Sequence, residues 1–271
     1  FLQGYVTAQD RIWQMEALRR KAAGELSEVA GGLTYSGDVE SRQLRLRRIA
    51  EFHAHRMPAT DRAVLAAYAR GVNAFLRENA GKLSPELTVM RYDPRPWTIT
   101  DTVLAGLEMH RQLTTTWKSE HGKLAMLSGG DRAKVETLFP PRTGLEVQPG
   151  SNAWVVSGKH TASGKPLLAN DPHLMWSLPG VWYMVRIEAP GLKVAGVSLP
   201  GVPGVIIGHN EQIAWGVTNL GYDVQDLYEE RIDFASGRYL VEGRVQAVAV
   251  EREVVAVKDS KSYDVPVVVT R

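Results

Sequence analysis

A glycine followed directly by a serine, Gly150-Ser151, opens the stretch of the chain best suited to chemistry. A serine hydroxyl is a poor nucleophile near neutral pH, because a base must accept its proton. Within a continuous chain Ser151 offers only an amide nitrogen, which is not a base. If the bond after Gly150 were cut, Ser151 would gain a free α-amine with a pKa of about 7.7–8.0, which suits general-base catalysis near neutrality.

The serine has the chemistry to make this cut itself, by attacking the Gly150 carbonyl in an N-to-O acyl shift. Glycine suits the position because it adds no side chain to a crowded, strained peptide bond. The alternative is that Ser151 only follows a turn glycine, since Gly and Ser are common loop residues. The dipeptide by itself leaves both interpretations open.

Four short motifs follow one another from this point. Gly-Ser-Asn-Ala-Trp begins at Gly150, Ala-Asn-Asp-Pro-His at Ala169, Gly-His-Asn at Gly208 and Ile-Ala-Trp-Gly at Ile213. In this order and spacing they resemble the penicillin acylase family, the N-terminal-nucleophile amidohydrolases that include penicillin, cephalosporin and acyl-homoserine-lactone acylases. The resemblance extends from Gly4 to about residue 233.

The resemblance implies an α+β fold, the αββα four-layer sandwich of the N-terminal-nucleophile hydrolases, present here as a fragment. Residues 1–150 would form a mostly helical portion like the α subunit, ending in a spacer or linker. Residues 151–271 would be the truncated start of the β-subunit-like sheet domain. Autocatalytic cleavage at Gly150-Ser151 would then turn one inactive precursor, a zymogen, into a heterodimer of its own segments.

The resemblance also assigns catalytic positions. Ser151 would be the nucleophile, and the backbone N–H of Asn219 would be one donor to the oxyanion. His173 stands where the family places a residue beside the nucleophile, so it would orient the serine or bond near its amine, unless it only packs at a strand end. Histidine there is more similar to cephalosporin and lactone acylases than to penicillin G acylases, which carry glutamine. The family's second oxyanion donor is expected beyond Arg271.

Three further residues would line the site. Asn152 would help to orient the nucleophile, or would only satisfy a turn. Leu174 and Trp176 would border the acyl pocket. The substrate would be the acyl amide of a small molecule, such as a β-lactam side chain.

The segment Asp223-Val224-Gln225-Asp226 would bind structural calcium. Carboxylate and carbonyl oxygens are suitable ligands for a hard cation such as Ca²⁺. In the resembled family two aspartates and a backbone carbonyl of this segment bind the ion, which here points to Asp223, Gln225 and Asp226. Glu120 best matches the family's fourth ligand, a glutamate of the smaller subunit. The alternative is that the aspartates are turn formers. No organic cofactor is expected.

Three alternatives compete with the β-lactam interpretation. The first is an acyl-homoserine-lactone acylase, which degrades a quorum signal. The second is a binding protein that retains the fold without catalysis, and it predicts an intact Gly150–Ser151 bond. The third is a metal hydrolase using Asp171 and His173, for which the sequence offers no evident third ligand.

Composition argues against other classes of protein. The 271 residues are 44% hydrophobic and 23% charged, which disfavours disorder. With 32 basic and 30 acidic residues the formal charge is +2, so no electrostatic case exists for nucleic acid or an anionic membrane as a partner. The chain has no cysteine, which excludes disulfides and a cysteine nucleophile.

Apolar periodicity divides the chain into a helical first part and a strand-rich second part. Steps of three and four residues predict helices over about 8–30, 58–79, 98–113 and 117–127. The prolines of 84–97 predict a loop, and the basic residues of 42–57 are interpreted as a solvated helix face. After Gly150, short strand-like runs, including one at 226–232, predict a largely antiparallel sheet.

Both ends of the chain have the pattern of a domain interior, so we interpret it as part of a longer polypeptide. No apolar run approaches the roughly 18 residues that a membrane-spanning helix needs. Because members of the resembled family are commonly exported, we expect a periplasmic or exported protein.

Overall fold

The computed structural model describes residues 1–114, 117–140, 150–219 and 224–270, which divide into two compact units. The first unit comprises Phe1–Met109, Trp176–Trp215 and Ala247–Arg271, and the second comprises His110–Met175 and Gly216–Gln246. Each unit combines residues from before and after Gly150. The boundary that the sequence places at that residue, between the two segments of a precursor, stays a prediction.

Helices occupy the described chain as far as residue 138. They are α1 Leu2–Ala23, α2 Ser27–Ala30, α3 Tyr35–Gln43, α4 Leu46–Arg56, α5 Ala59–Glu78, α6 Pro85–Met90, α7 Ile99–Thr114, α8 Trp117–Gly129 and α9 Arg132–Leu138. The predicted helices at 58–79, 98–113 and 117–127 are confirmed. None of the helices in the described ranges is long and apolar enough to cross a membrane.

Two helix boundaries differ from the prediction. The first helix ends at Ala23, because Gly24 adopts a left-handed conformation with φ 66° and closes the helix through its backbone N–H. The predicted loop at 84–97 contains the short helix α6. Its proline stands at the start of the helix, where the missing N–H costs no hydrogen bond.

Strands begin directly after Ser151. They are β1 Asn152–Val156, β2 Leu167–Asp171, β3 Tyr183–Ala189, β4 Leu192–Ser198, β5 Ile207–Asn210, β6 Ala214–Trp215, β7 Ile232–Asp233, β8 Arg238–Val241, β9 Arg244–Ala247, β10 Ala249–Val255 and β11 Tyr263–Val269. They form the sheets β1-β2, β3-β4-β5-β6, β7-β8-β9 and β10-β11. Pairing is antiparallel in β1-β2, throughout β3-β4-β5-β6, and in β7-β8 and β10-β11. The α+β class is confirmed, while the predicted strand at 226–232 is reduced to β7.

The core of the first unit lies where α1 packs against α5. Buried apolar side chains fill it, among them Ala8, Ile12, Met15, Tyr68, Val72 and Phe75. A Cβ atom built on Gly4 would lie 2.1 Å from the carbonyl oxygen of Tyr68, and one built on Gly71 would lie 1.9 Å from that of Phe1. The backbones of the two helices therefore touch at these glycines.

A buried ionic cluster lies beside this core. Glu16 is fully buried, and its two carboxylate oxygens accept hydrogen bonds from Arg19 Nε at 2.8 Å and Arg20 Nε at 2.6 Å. The guanidinium of Arg19 also donates to the carbonyls of Arg95 and Pro96. Arg19 also pairs with Asp101 at 3.2 Å, and Arg20 also pairs with Glu28 at 2.8 Å. Buried charges persist only when they are paired and hydrogen-bonded, and Glu16 is the carboxylate that the two arginines share.

The basic stretch 42–57 is not a uniformly solvated face. Arg42 donates to Glu253 at 3.0 Å, and Arg45 and Arg48 both pair with Glu251. These carboxylates lie on β10, so the arginines join the helical region to a strand that is distant in sequence. The pattern of basic residues alone could not reveal these acidic partners.

We expect Glu16→Gln to destabilise the protein by about 1.5–3 kcal/mol, because it removes the carboxylate that two buried guanidinium groups share, while Arg19 keeps Asp101 and Arg20 keeps Glu28 as partners. Thermal and urea denaturation measure the change. Glu136→Gln is the matched control, since Glu136 forms an exposed pair with Arg132 at 2.8 Å and at the same four-residue spacing. That control should cost about 0.5 kcal/mol or less. Equal effects of the two substitutions would contradict the importance assigned to the buried cluster.

Candidate active site around Ser151

Ser151 lies at the entrance to the β1–β2 strand pair, within the second unit. Asn152 pairs with Asp171, so the residue before β1 lies beside the residues after β2. The hydroxyl of Ser151 accepts a hydrogen bond from the backbone N–H of His173, with 3.3 Å between Oγ and N. Pro172 has no N–H to offer, so His173 is the first residue past the strand that can supply this donor.

The imidazole of His173 is directed to its neighbour Asp171. The distance between His173 Nε2 and Asp171 Oδ2 is 2.9 Å, and the two side chains are 48% and 73% exposed. The histidine therefore contacts the serine hydroxyl through its backbone, while its ring forms a separate pair. No group of three or more histidine and acidic side chains suited to a metal occurs in the described ranges, so the metal-hydrolase alternative gains no support from them.

The side chain of Asn170, on β2, joins the serine strand to a second segment. Its Nδ2 donates to the carbonyl oxygen of Asn152 at 2.8 Å. The same group donates to the carbonyl of Val217 at 3.0 Å, and Asn170 Oδ1 accepts from the N–H of Val217, also at 3.0 Å. One amide thus binds β1 on one side and the backbone of residue 217 on the other.

The segment 216–219 carries the predicted oxyanion donor, Asn219. Its side-chain Nδ2 donates to the carbonyl of Leu113, near the end of α7, at 3.0 Å. At the other end of the segment, a Cβ atom on Gly216 would lie 2.8 Å from the side chain of Asn170. Glycine therefore lets the segment lie directly against that amide.

The remaining predicted site residues are placed as follows. Gly150 forms a bend and, like Ser151, is partly buried. Asn152 takes part through its carbonyl oxygen, which accepts from Asn170. Leu174 is partly buried, whereas Trp176 is fully exposed. The orienting role of Asn152 and the pocket roles of Leu174 and Trp176 stay predictions.

Of the four predicted calcium ligands, Asp223 lies outside the described residues. Glu120 lies on α8 and is partly buried, while Asp226 is exposed. Gln225 is partly buried, and its Oε1 atom is buried without a hydrogen-bond partner among the described residues. A buried oxygen without a donor is compatible with a cation ligand, because Ca²⁺ binds amide and carbonyl oxygens.

Sequence reasoning overlooked the part played by Asn170. Asn170 belongs to one of the four recognised motifs. Val217, the residue that it contacts, is distant in sequence and belongs to none of them. The available signal was the polar residue Asn170 at the end of an apolar strand, next to Asp171. Only the structure shows what its amide binds.

The sequence is similar to known proteins of one family. The family model described as penicillin amidase matches residues 1–271. The chain is 33% identical to an acyl-homoserine lactone acylase, QuiP, of Pseudomonas aeruginosa over 96% of its own length. It is 28% identical to a penicillin acylase 2 proenzyme of Pseudomonas sp. over 99% of its length. A solved penicillin G acylase of Alcaligenes faecalis is 24% identical, with a TM-score of 0.44, covering 54% of this chain and 83% of that one.

The chain spans 35% of the length of the Pseudomonas aeruginosa protein and 39% of the Pseudomonas sp. proenzyme. The family match, in contrast, covers the chain from its first residue to its last. The chain therefore belongs to the penicillin amidase family.

Proposed function

We propose that this chain contributes the nucleophile of an acylase, an enzyme that hydrolyses the acyl amide of a small molecule. The contact of Ser151 Oγ with the backbone N–H of His173 carries the proposal, because it fixes a hydroxyl directly after the glycine that would be cleaved. The names of the relatives also support it, since one is an acyl-homoserine lactone acylase and another is a penicillin acylase proenzyme.

The first step would free the α-amine of Ser151. The hydroxyl oxygen attacks the carbonyl carbon of Gly150, the bond from that carbon to the Ser151 nitrogen breaks, and the hydroxyl proton passes to the nitrogen. Gly150 is then esterified to the serine side chain. Water hydrolyses this ester, which leaves a carboxylate on Gly150 and a serine with both a free amine and a free hydroxyl. The two segments would remain paired as a heterodimer.

The second step would use the new amine as the general base. It accepts the hydroxyl proton while Oγ attacks the acyl carbon of the substrate, and the oxyanion that forms accepts a hydrogen bond from the N–H of Asn219. The amine product leaves with a proton, and water then releases the acid from the acyl-serine. Loss of one oxyanion donor typically costs about 10²–10³ in rate, so the position of Asn219 matters.

Two substrate classes fit this chemistry: β-lactams with an acyl side chain and acyl-homoserine lactones. Both present an acyl amide beside a polar ring. One observation favours the lactone, namely the name carried by the relative that is 33% identical. The histidine at position 173 disfavours a penicillin G acylase, but it fits cephalosporin and lactone acylases alike.

A structural calcium ion is also part of the proposal. Glu120, Asp223, Gln225 and Asp226 would hold it, with Gln225 contributing its backbone carbonyl. The unpartnered side-chain Oε1 of Gln225 supports the choice as a second oxygen at this position that could face a cation. When bound, the ion would supply a fixed positive charge that braces the segment after Asn219. It would take no part in the acyl transfer.

We expect the protein expressed from its complete gene to yield two polypeptides, one of which begins at Ser151. Intact mass measured under denaturing conditions detects them. Ser151→Ala should give one uncut polypeptide without amidase activity, because the attacking hydroxyl is gone. Ser157→Ala, six residues further along and directly after β1, is the control and should be cut normally. An uncut wild-type protein would favour the non-catalytic binding alternative.

We further expect the cut protein to release homoserine lactone from N-acyl-homoserine lactones. Mass spectrometry of the products distinguishes this reaction from opening of the lactone ring, because only amide hydrolysis separates the acyl chain from the ring. Penicillin G is the comparison substrate, for which removal of the phenylacetyl group is followed. Faster cleavage of penicillin G would overturn the lactone assignment but keep the acylase assignment.

Removal of calcium should lower the thermal midpoint of the protein, because the acidic ligands would repel one another without the ion. A chelator such as EGTA followed by added Ca²⁺ tests this reversibly. Asp226→Asn should make the midpoint less dependent on Ca²⁺, whereas Asp259→Asn, on an exposed turn far along the chain, should not. A midpoint that does not respond to EGTA would rule out this calcium site.

A further inference from the structure

The amide of Asn170 replaces a missing strand pairing. Segment 216–219 continues from β6 but belongs to no strand of the described chain. Asn170 Oδ1 and Nδ2 bind the N–H and the carbonyl of Val217, each at 3.0 Å. A neighbouring strand would offer the same pair of groups, one acceptor and one donor. The side chain thus holds the segment in the way a strand edge would.

The second contact of Nδ2 links this arrangement to the nucleophile. The carbonyl of Asn152, which accepts from Nδ2 at 2.8 Å, belongs to the residue after Ser151. Asn219, the predicted oxyanion donor, stands two residues after Val217. One planar amide therefore lies between the backbone next to the nucleophile and the backbone next to the donor.

We propose that Asn170 is a positioning residue that sets the oxyanion donor of Asn219 against the hydroxyl of Ser151. The proposal rests on the function proposed above. Asn170 would not touch the reacting atoms, and it would act through Asn152 and Val217. An oxyanion donor must stand about 2.7–3.1 Å from the oxygen that becomes charged, so a small displacement of the segment removes much of its effect.

Gly216 gives independent support to this role. A Cβ atom at this position would lie 2.8 Å from Cβ, Cγ and Oδ1 of Asn170, which is closer than such atoms approach in proteins. The backbone of residue 216 therefore lies in contact with the amide. At the other end, Asn219 Nδ2 binds the carbonyl of Leu113 at 3.0 Å. The segment is held at both ends, and Asn170 supplies the end nearer to Ser151.

The amide needs both its donor and its acceptor for this task. Leucine has nearly the same shape as asparagine but forms no hydrogen bond. Aspartate keeps an oxygen that can accept from the N–H of Val217. In its ionised form, however, the other oxygen has no proton to donate and would face the carbonyl oxygens of Asn152 and Val217. When protonated, the carboxyl regains one donor, which can bind the carbonyl of Asn152 or of Val217.

The test uses the protein expressed from its complete gene, an acyl amide that it hydrolyses, and rates divided by the number of active sites, counted with a sulfonyl fluoride. For Asn170→Leu we expect kcat to fall about 10- to 100-fold while KM changes less than about threefold, because the lost interaction acts mainly in the transition state. Unchanged kcat per active site would overturn the proposal.

Asn170→Asp supplies a readout that loss of stability alone would not give. The ratio of its kcat to the wild-type kcat should be low at pH 8 and should rise at least fivefold as the pH falls through the titration of the introduced carboxyl. Protonation of the Ser151 α-amine lowers kcat in both proteins alike, so its effect cancels in the ratio. A kcat ratio independent of pH would contradict the proposal. This result would be decisive even if Asn170→Leu does not fold and cannot be assayed.

Asn210→Asp is the matched control. Asn210 Oδ1 accepts from the N–H groups of Gln212 and Ile213 within a turn, and aspartate keeps this acceptor. The ratio of its kcat to the wild-type kcat should stay near one at every pH.

The positioning role and the proposed function would fail in different ways. Full activity in Ser151→Ala would overturn the proposed function, whereas loss in Ser151→Ala with normal kcat in both Asn170 variants would overturn the positioning role alone.

Discussion

The antiparallel pairing of β1 and β2 is the constraint on which the candidate site depends. Side chains alternate between the two faces of a strand, so a shift of one residue in register would send each of them to the opposite face. With Asn152 opposite Asp171, the serine before one strand lies beside the end of the other. The same register brings the amide of Asn170 to the carbonyl of Asn152. A different register would break both contacts at once.

Polar contacts rather than burial specify this strand pair within the described chain. Every residue of β1 is exposed, including Trp154 and Val155. Apolar packing therefore contributes little to its register there. The contacts that remain are hydrogen bonds with defined direction, from the N–H of His173 to Ser151 and from Asn170 to two backbone segments. Such bonds fix geometry well, which is what a nucleophile and its oxyanion donor require.

The sequence allowed the general fold to be predicted, because apolar periodicity and turn residues are local signals. The order of helices and strands and the antiparallel pairing follow from them. The buried ion pairs of α1 could not be predicted in this way. Periodicity counts apolar residues and gives no sign that Glu16 binds Arg19 and Arg20 inside the protein. For the site, the resemblance to the family pointed to Ser151, His173 and Asn219. The link through Asn170 joins residues far apart in sequence, and only the folded chain displays it.

We propose that Ser151 attacks the substrate with its hydroxyl while carrying a free α-amine. Peptide mapping by mass spectrometry, after brief reaction with a sulfonyl fluoride, tests it most directly. We expect one adduct, on the serine hydroxyl of a peptide that begins at Ser151 and has lost Gly150. The fraction of protein that carries the label should equal the fraction of activity that is lost. An active preparation whose adduct lies on another residue, or on an uncut peptide spanning Gly150 and Ser151, would contradict it.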